Sequence, residues 1–162
     1  NSTNDIAIKK IKMGCLSGII TSIIQKKARG QYGKKWISYK GNFFMSIFFK
    51  IRKGISLSKI TKLNCEIIKY SIYKLIKKKI TIKFPNDLLI ENKKFCGILQ
   101  EIIINKKEKF IVVGIGINLV KSPKIKNYLT TNILKETGLN LKKSKLLKSI
   151  EANYCKKLNL FA

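Results

Sequence analysis

The sequence predicts an α+β fold, because one long helical pattern lies among several apolar runs of strand length. Residues 57–78 carry apolar side chains at helical spacing, which is typical of a long helix packed on a sheet. The other apolar runs are shorter, as in the segment Phe43 to Phe49. Residues 91–93 and 105–108, between such runs, have the composition of hairpin turns. These observations favour a sheet covered by helices.

Sequence signals at the helix ends define the elements further. Ser2 or Thr3 can cap the first helix and Ser56 or Ser58 the long one, since a hydroxyl oxygen can accept a hydrogen bond from a free amide at a helix start. Gly138 ends the third helix. The predicted helices cover residues 3–13, 57–78, 130–137 and 142–157. The predicted strands cover residues 16–24, 41–50, 79–83, 88–91, 94–104 and 109–117.

Length and composition predict one folded domain over residues 1–162. Hydrophobic residues make up 45% of the chain, which argues against disorder, and 162 residues suffice for a single core. No apolar run reaches the roughly 20 residues that a membrane span needs, and no secretory or transit segment is visible. The chain begins with Asn1 rather than methionine, so a clipped N-terminus, lacking a strand before Ser2, stays an open alternative.

The four cysteines predict reduced thiols rather than a metal site or disulfides. Cys15, Cys65, Cys96 and Cys155 are widely spaced and form no Cys-x-x-Cys pair. The chain has no histidine, which removes the usual nitrogen ligand of zinc and excludes Ser-His or Cys-His nucleophilic catalysis. We therefore expect four mostly buried thiols in a cytoplasmic protein.

The charge of the chain is strongly positive, with 35 Lys+Arg against 8 Asp+Glu and a formal net charge of +27. A basic surface binds phosphate backbones through counterion release, so nucleic-acid binding is an alternative function. The lysines are spread along the whole chain, however, and no helix-turn-helix or RNA-binding aromatic motif is present. We therefore predict no specific nucleic-acid partner and only weak binding at low salt.

A lysine at a sharp chain reversal is the first candidate for chemistry. Pro85 fixes its own φ angle and biases Phe84 towards an extended conformation. Asn86 and Asp87 are turn residues, because their side chains can hydrogen-bond the local backbone. Lys83 therefore ends a strand at this turn, where its ammonium group can face an anionic substrate.

A basic loop over residues 25–36 is the second candidate. Gly30 and Gly33 give the backbone freedom and expose amide groups for close approach to a ligand. Arg29 between the apolar runs brings a planar set of donors that suits a carboxylate or a phosphate. Taken alone, this loop is more typical of a basic surface segment, and its assignment to a site depends on the other motifs of the chain.

Five short motifs of the chain, in order, resemble those of the biotin–protein ligases. They are Ser2-Thr3-Asn4, Gln25 to Trp36, Lys83 to Leu88, Gly97 to Glu101 and Gly114 to Asn118. The chain departs from the family pattern at three positions, where it has Ala28 for glycine, Gln31 for arginine and Phe84 for tryptophan. The resemblance spans roughly the whole chain and implies one catalytic domain. It leaves no room for the winged helix or the small barrel domain that some family members carry.

The resemblance implies an α+β fold with a central mixed β-sheet flanked by helices, similar to class II aminoacyl-tRNA synthetase cores. It implies an ATP-dependent ligase that activates biotin as biotinyl-5′-AMP, with Mg²⁺, and transfers biotin to a lysine of a biotin carboxyl carrier protein. An alternative within the same fold is a lipoate or octanoate ligase or transferase. No membrane partner is implied, and a homodimer is left open.

The resemblance also implies roles for individual residues. Lys83 and Arg29 are the expected catalytic residues. The expected biotin contacts are Ser2, Thr3, Asn4, Gln25, Arg29, Gly30, Gln31 and Lys83. The expected nucleotide contacts are Arg29, Trp36, Lys83 and Asn118, with Asn118 and, more weakly, Asp87 as Mg²⁺ ligands. For Trp36, a role as a core anchor is an equal alternative to shielding the adenylate.

Overall fold

The computed structural model describes residues 2–161 and confirms the predicted elements, with their ends shifted by up to three residues. The helices are α1 (Thr3–Lys12), α2 (Leu57–Ile76), α3 (Ile133–Thr137) and α4 (Lys143–Lys157), with 3-10 turns at Gln31–Gly33 and Leu158–Leu160. The strands are β1 (Ser17–Ser22), β2 (Phe43–Ile51), β3 (Thr81–Lys83), β4 (Asp87–Ile90), β5 (Lys93–Asn105) and β6 (Glu108–Ile117).

The α+β class is confirmed, and the sheet is antiparallel where the resemblance implied a mixed one. Its six strands lie in the order β1-β2-β6-β5-β4-β3, and every neighbouring pair runs antiparallel. Three of these pairs, β3–β4, β4–β5 and β5–β6, are joined by connections too short to reverse the chain direction twice, so they must pair antiparallel. Within residues 2–161, parallel pairing is confined to an isolated bridge between Lys94 and Thr130.

Both hairpin corners predicted from the sequence are confirmed, and their backbone geometry explains them. Glu91 and Asn92 have φ angles of 48° and 61°, and Lys106 and Lys107 have φ angles of 47° and 64°. Two successive left-handed residues define the tight hairpin turn whose twist matches that of the flanking strands. These corners fix the register of β5 against β4 and β6.

Helices cover both faces of the sheet, which explains why β2 is apolar almost throughout. Phe43, Met45, Ile47 and Phe49 belong to the main core with α2 and α4, while Phe48 belongs to a smaller cluster. The smaller cluster also contains Ala7 and Ile11 of α1 and Phe110 and Val112 of β6. A strand buried on both faces has no solvent side on which to alternate polar residues.

The cysteine prediction is partly corrected. Cys65 and Cys96 are buried, whereas Cys15 and Cys155 are exposed, and all four are free thiols. Cys15 lies just beyond α1 and Cys155 lies near the end of α4, where neither side chain meets the core. None of the described helices is both long and apolar enough to span a membrane.

Candidate functional site

A cavity of about 480 Å³ opens beside the start of α1, on the face of the sheet that α1 covers. Phe110 and Val112 fill the space under α1, and residues two and four positions further along β6 lie on the same face. These are Gly114 and Gly116, and both line the cavity. Because glycine has no side chain, the sheet surface is recessed at these residues and the floor of the cavity is backbone. We call this surface the glycine floor.

The indole of Trp36 covers part of this glycine floor. Gly97 and Gly116 face each other in register across β5 and β6. A Cβ atom on either residue would lie 2.6 Å from the Trp36 ring, so only glycine permits this approach. The Trp36 Nε1 atom is buried and has no hydrogen-bond partner among the described residues. The indole N–H of Trp36 therefore lies against the backbone of Gly116 without a hydrogen-bond acceptor.

The start of α1 contributes a cluster of neutral polar groups. Ser2 caps the helix, since its Oγ accepts from the amide of Asp5 at 3.1 Å. Gln25 Oε1 accepts from the amide of Thr3 at 2.8 Å and from the Thr3 hydroxyl at 3.2 Å. Asn4 lies beside Gly114 and also lines the cavity. The structure thus brings together all four predicted contacts of this group.

Ser46 extends this cluster and was not predicted from the sequence. It is fully buried on β2, and its Oγ lies 2.7 Å from Thr3 Oγ1 and 2.5 Å from Asn4 Oδ1. Ser46 is the one hydroxyl-bearing residue between Phe43 and Phe49. A lone small polar residue in a buried apolar strand was the signal, because a buried hydroxyl requires a partner.

Arg29 lines the cavity with its guanidinium held between two carboxylates. Its Nη1 lies 2.5 Å from Asp5 Oδ1, and its Nη2 lies 2.9 Å from Glu101 Oε1. Burial raises the pKa of Asp5, but hydrogen bonds from Arg29 and Ser2 outweigh that effect and hold the pKa below its ordinary value. The Asp5 hydrogen bond likewise raises the pKa of Arg29. Arg29 is therefore a charged group that shares its donors with two carboxylates, which compete with an anionic ligand for it.

The loop that carries Arg29 folds as a small hairpin of its own. The Gly30 amide donates to Lys34 O at 2.6 Å, and Trp36 donates to Ala28 O at 3.1 Å. The left-handed residues at its tip are Tyr32 and Gly33, with φ angles of 55° and 72°. Ala28 is buried and has no positive φ angle, so the alanine at this position imposes no backbone strain.

A second group of charges lies at the opposite wall of the cavity, around Tyr128. The Tyr128 hydroxyl donates to Asp87 Oδ2 at 2.6 Å, and Lys94 Nζ forms an ion pair with Asp87 Oδ1 at 2.7 Å, outside hydrogen-bond geometry. The pKa of Tyr128 is raised, mainly by burial and to a smaller extent by the hydrogen bond to Asp87, so the hydroxyl stays protonated and acts as a donor. Lys94 and Tyr128 line the cavity, and neither was predicted from the sequence.

Lys83 stands behind Tyr128 rather than in the cavity lining. Its side chain is exposed, and its Nζ lies 4.7 Å from the centroid of the Tyr128 ring. Asp87 and Asn86 of the same turn do line the cavity. The predicted strand-end position of Lys83 is confirmed by β3, while its ammonium group is separated from the cavity by one aromatic ring.

Asn118 is built into the framework of the cavity wall. Its Oδ1 accepts from Asn42 Nδ2 at 3.3 Å, and its Nδ2 donates to Thr131 O at 3.1 Å. Asn42 Oδ1 in turn accepts from three successive amides, those of Leu119, Val120 and Lys121.

The two residues expected to hold Mg²⁺ do not form a metal site in this arrangement. The amide oxygen of Asn118 is engaged by Asn42, and the carboxylate of Asp87 is engaged by Tyr128 and Lys94. Within residues 2–161, no three His, Cys, Asp or Glu side chains are grouped so as to hold a metal ion. Asn118 and Asp87 are thus engaged with other residues in this arrangement, and their role as Mg²⁺ ligands stays a prediction.

Residues 1–118 match the Biotin/lipoate A/B protein ligase family, and the chain belongs to that family. Bifunctional ligase/repressor BirA of Escherichia coli is 29% identical over 154 residues, which cover 90% of this chain and 47% of BirA. The chain thus spans about half the length of the curated relatives it matches.

Solved structures show the same fold. The biotin protein ligase of Leishmania major in complex with biotinyl-5-AMP aligns with a TM-score of 0.80 at 21% identity, over 94% of this chain and 69% of that one. The biotin protein ligase of Aquifex aeolicus in complex with biotin and ATP aligns with a TM-score of 0.76 at 24% identity, over 97% and 68%.

Proposed function

We propose that this chain is the catalytic domain of a biotin–protein ligase. It activates biotin with ATP as biotinyl-5′-AMP and transfers biotin to a lysine of a biotin carboxyl carrier protein. Membership of the family leaves both biotin and lipoate as candidate acids. The observation that favours biotin is the neutral polar pair of Thr3 and Gln25 in the cavity lining, with the buried Ser46 bonded to Thr3 behind it.

The polar cluster suits the ureido ring of biotin, which carries two N–H donors and one carbonyl acceptor. Gln25 and the hydroxyls of Thr3 and Ser46 can both donate and accept hydrogen bonds. The dithiolane ring of lipoate and the alkyl chain of octanoate form no such bonds, so they would add no hydrogen bond to the donors and acceptors that Thr3 and Gln25 do not use with each other. We assign Ser2 and Asn4 to the same end of the site.

The first step joins the biotin carboxylate to the α-phosphate of ATP and releases pyrophosphate. Both reactants are anions, so positive charge at the junction lowers the barrier. We assign this role to Arg29, which lines the cavity, and to Lys83, whose ammonium group must move past the Tyr128 ring to reach the reacting groups, with Gly30 and Gln31 beside the intermediate. Arg29 exchanges its ion pairs with Asp5 and Glu101 for the substrate.

The nucleotide is assigned to the end of the cavity that Trp36 and Asn118 line. Trp36 supplies an aromatic face, and Asn118 holds the wall in place. Mg²⁺ enters as the counter-ion of ATP and neutralises phosphate charge there.

The second step requires a carrier protein that brings its lysine to the cavity. Carrier domains of this kind are expected to be acidic, and the +27 charge of this chain would attract them in the cytoplasm. The lysines and arginines would therefore attract the carrier protein as well as bind the substrate.

Pyrophosphate exchange with the purified chain tests the proposal. ATP and biotin should support exchange of labelled pyrophosphate into ATP, and a carrier domain should become biotinylated. Biotin with MgATP should also raise the melting temperature, because a ligand that binds the folded state stabilises it. Exchange driven by lipoate or octanoate but not by biotin would assign the chain to the other branch of the family.

A further inference from the structure

Lys83 and Asp87 are direct partners across the β3–β4 hairpin. Side chains at opposed positions of an antiparallel pair lie on the same face and about 5 Å apart at Cβ, so opposite charges there normally attract each other. Within residues 2–161, however, Asp87 forms its ion pair with Lys94 and none with Lys83. The ammonium group of Lys83 instead lies 4.7 Å from the ring centroid of Tyr128.

Tyr128 meets both members of this pair with different parts of its side chain. Its hydroxyl donates to Asp87 Oδ2 at 2.6 Å, while its ring attracts the ammonium of Lys83. Lys94 occupies the other carboxylate oxygen of Asp87 at 2.7 Å. Both oxygens of Asp87 therefore have partners, although the nearest lysine across the hairpin is not one of them.

The backbone fixes Tyr128 in this position. The amide of Lys94 donates to Leu129 O at 2.9 Å, and the amide of Thr131 donates to Lys94 O at 2.9 Å. These bonds tie the residues after Tyr128 to the first residues of β5, the strand paired with β4. The ring is thus placed by the sheet and does not depend on Lys83.

We propose that Tyr128 is a positioning residue that prevents Asp87 from capturing the ammonium group of Lys83. An aromatic face attracts a cation without neutralising it, whereas a carboxylate cancels its charge. Lys83 is thereby kept available for an anionic carboxylate or phosphate. This inference rests on the proposed function, because it assumes that Lys83 acts where the biotin carboxylate meets the α-phosphate of ATP.

Amine labelling in the absence of substrates tests the arrangement directly. The reactivity of each lysine towards a limiting amount of acetic anhydride is measured by mass spectrometry. Tyr128→Phe keeps the ring but frees Asp87 Oδ2, so Asp87 should pair with Lys83 and lower its labelling by about threefold. Tyr128→Leu, which also removes the ring, should lower it at least as far.

Removal of the competing carboxylate should reverse the effect. In the Tyr128→Phe background, Asp87→Asn should restore Lys83 labelling to the level of the unmodified chain. Biotin-dependent pyrophosphate exchange should show the same coupling: Tyr128→Phe should slow it by about tenfold when Asp87 is present and by much less when residue 87 is asparagine. Loss of structure alone would not be reversed by a second substitution.

Tyr73→Phe is the matched control, because Lys77 Nζ lies 5.7 Å from the Tyr73 ring, which does not line the cavity. It should leave the labelling of Lys83 and the exchange rate unchanged. Unaltered Lys83 labelling in folded Tyr128→Phe, or no recovery with Asp87→Asn, would overturn the role of Tyr128. If labelling follows the expected pattern but biotin supports no exchange, the charge arrangement stands and the ligase assignment fails.

Discussion

Trp36 rests on Gly116, with its indole Nε1 2.9 Å from the point that a Cβ atom of residue 116 would occupy. A ligand that reaches the backbone of Gly97 or Gly116 must therefore displace the indole, and one that binds elsewhere in the cavity can contact its exposed face. The chain contains one tryptophan, so tryptophan fluorescence reports on the surroundings of this residue alone. We expect biotin with MgATP to shift Trp36 emission in a saturable manner. Binding detected by calorimetry without any change in emission would place the ligand away from the floor.

Lys83→Ala should nearly abolish formation of the adenylate while leaving the fold intact. Loss of a charge at the reacting phosphate should raise the activation free energy by several kcal/mol, which lowers the rate by about a hundredfold or more. Pyrophosphate exchange measures this step. Lys62→Ala is the control, because Lys62 is an exposed lysine of α2 outside the cavity. Near-normal exchange in folded Lys83→Ala would rule out its catalytic role.

Gln31→Arg should reduce escape of the activated intermediate. Gln31 lines the cavity where the family has arginine, and glutamine forms neutral hydrogen bonds that are about half as strong as charge-assisted ones. We expect the unmodified chain to biotinylate exposed lysines of itself and of bystander proteins, and Gln31→Arg to suppress this labelling without slowing adenylation. If the unmodified chain labels its carrier alone, neighbouring cations such as Lys34 and Lys35 retain the intermediate.

Transfer to the carrier should depend on salt more strongly than adenylation does. Long-range attraction between the +27 chain and an acidic carrier is screened within about 10 Å at 0.1 M salt. The ion pairs inside the cavity are shorter and partly shielded from solvent. The two half-reactions, measured separately between 50 and 300 mM NaCl, should therefore diverge; parallel curves would contradict electrostatic steering.

Glu136 should stabilise the fold in a pH-dependent manner. Its Oε1 accepts from Lys93 Nζ at 2.9 Å and from the Thr131 hydroxyl at 2.5 Å, and these bonds lower its pKa below 4.5. The stabilisation is present above that ordinary value and is lost as the pH falls through the lowered pKa. Glu136→Gln should reduce the free energy of unfolding at pH 7 by about 1.5 kcal/mol.

Urea unfolding measures this difference, which should shrink as the pH falls below 4.5. Glu151→Gln is the matched control, since Glu151 is an exposed residue of α4 without an ion pair among the described residues. A difference for Glu136→Gln that is constant with pH would show that the carboxylate charge contributes nothing.

Local sequence signals were sufficient for most of the fold. The serine caps, the helical spacing of 57–78 and the polar corners at Glu91 and Lys106 each act over a few residues, and all are present in the structure. The order of the strands in the sheet was less accessible, because it depends on which distant strands meet. The pairing of β2 with β6 joins residues far apart in the sequence, from Ile51 with Lys109 to Phe43 with Ile117, and no local pattern specifies it.

The site was predictable where it follows motifs and not where it depends on tertiary contacts. The convergence of Thr3 with Gln25 was expected, whereas Tyr128, Lys94 and Asn42 lay outside every motif considered. Lys94 could not be distinguished from the other lysines of this chain, since only its ion pair with buried Asp87 sets it apart. The separation of Lys83 from the cavity likewise depends on a ring supplied by a distant loop.

Asn42, which directly precedes β2, binds three successive amides and so fixes one wall of the cavity to the start of that strand. Another wall of the cavity, residues 28–36, is a hairpin with its own internal hydrogen bonds. Among the described residues, all of its ion pairs to the rest of the chain are formed by Arg29. On the proposed function, the side chain that recognises the substrate anion is also the one whose ion pairs join this hairpin to the start of α1 and to β5. Binding of the anion at Arg29 would therefore weaken the attachment of the hairpin, while the wall held by Asn42 would keep all of its hydrogen bonds.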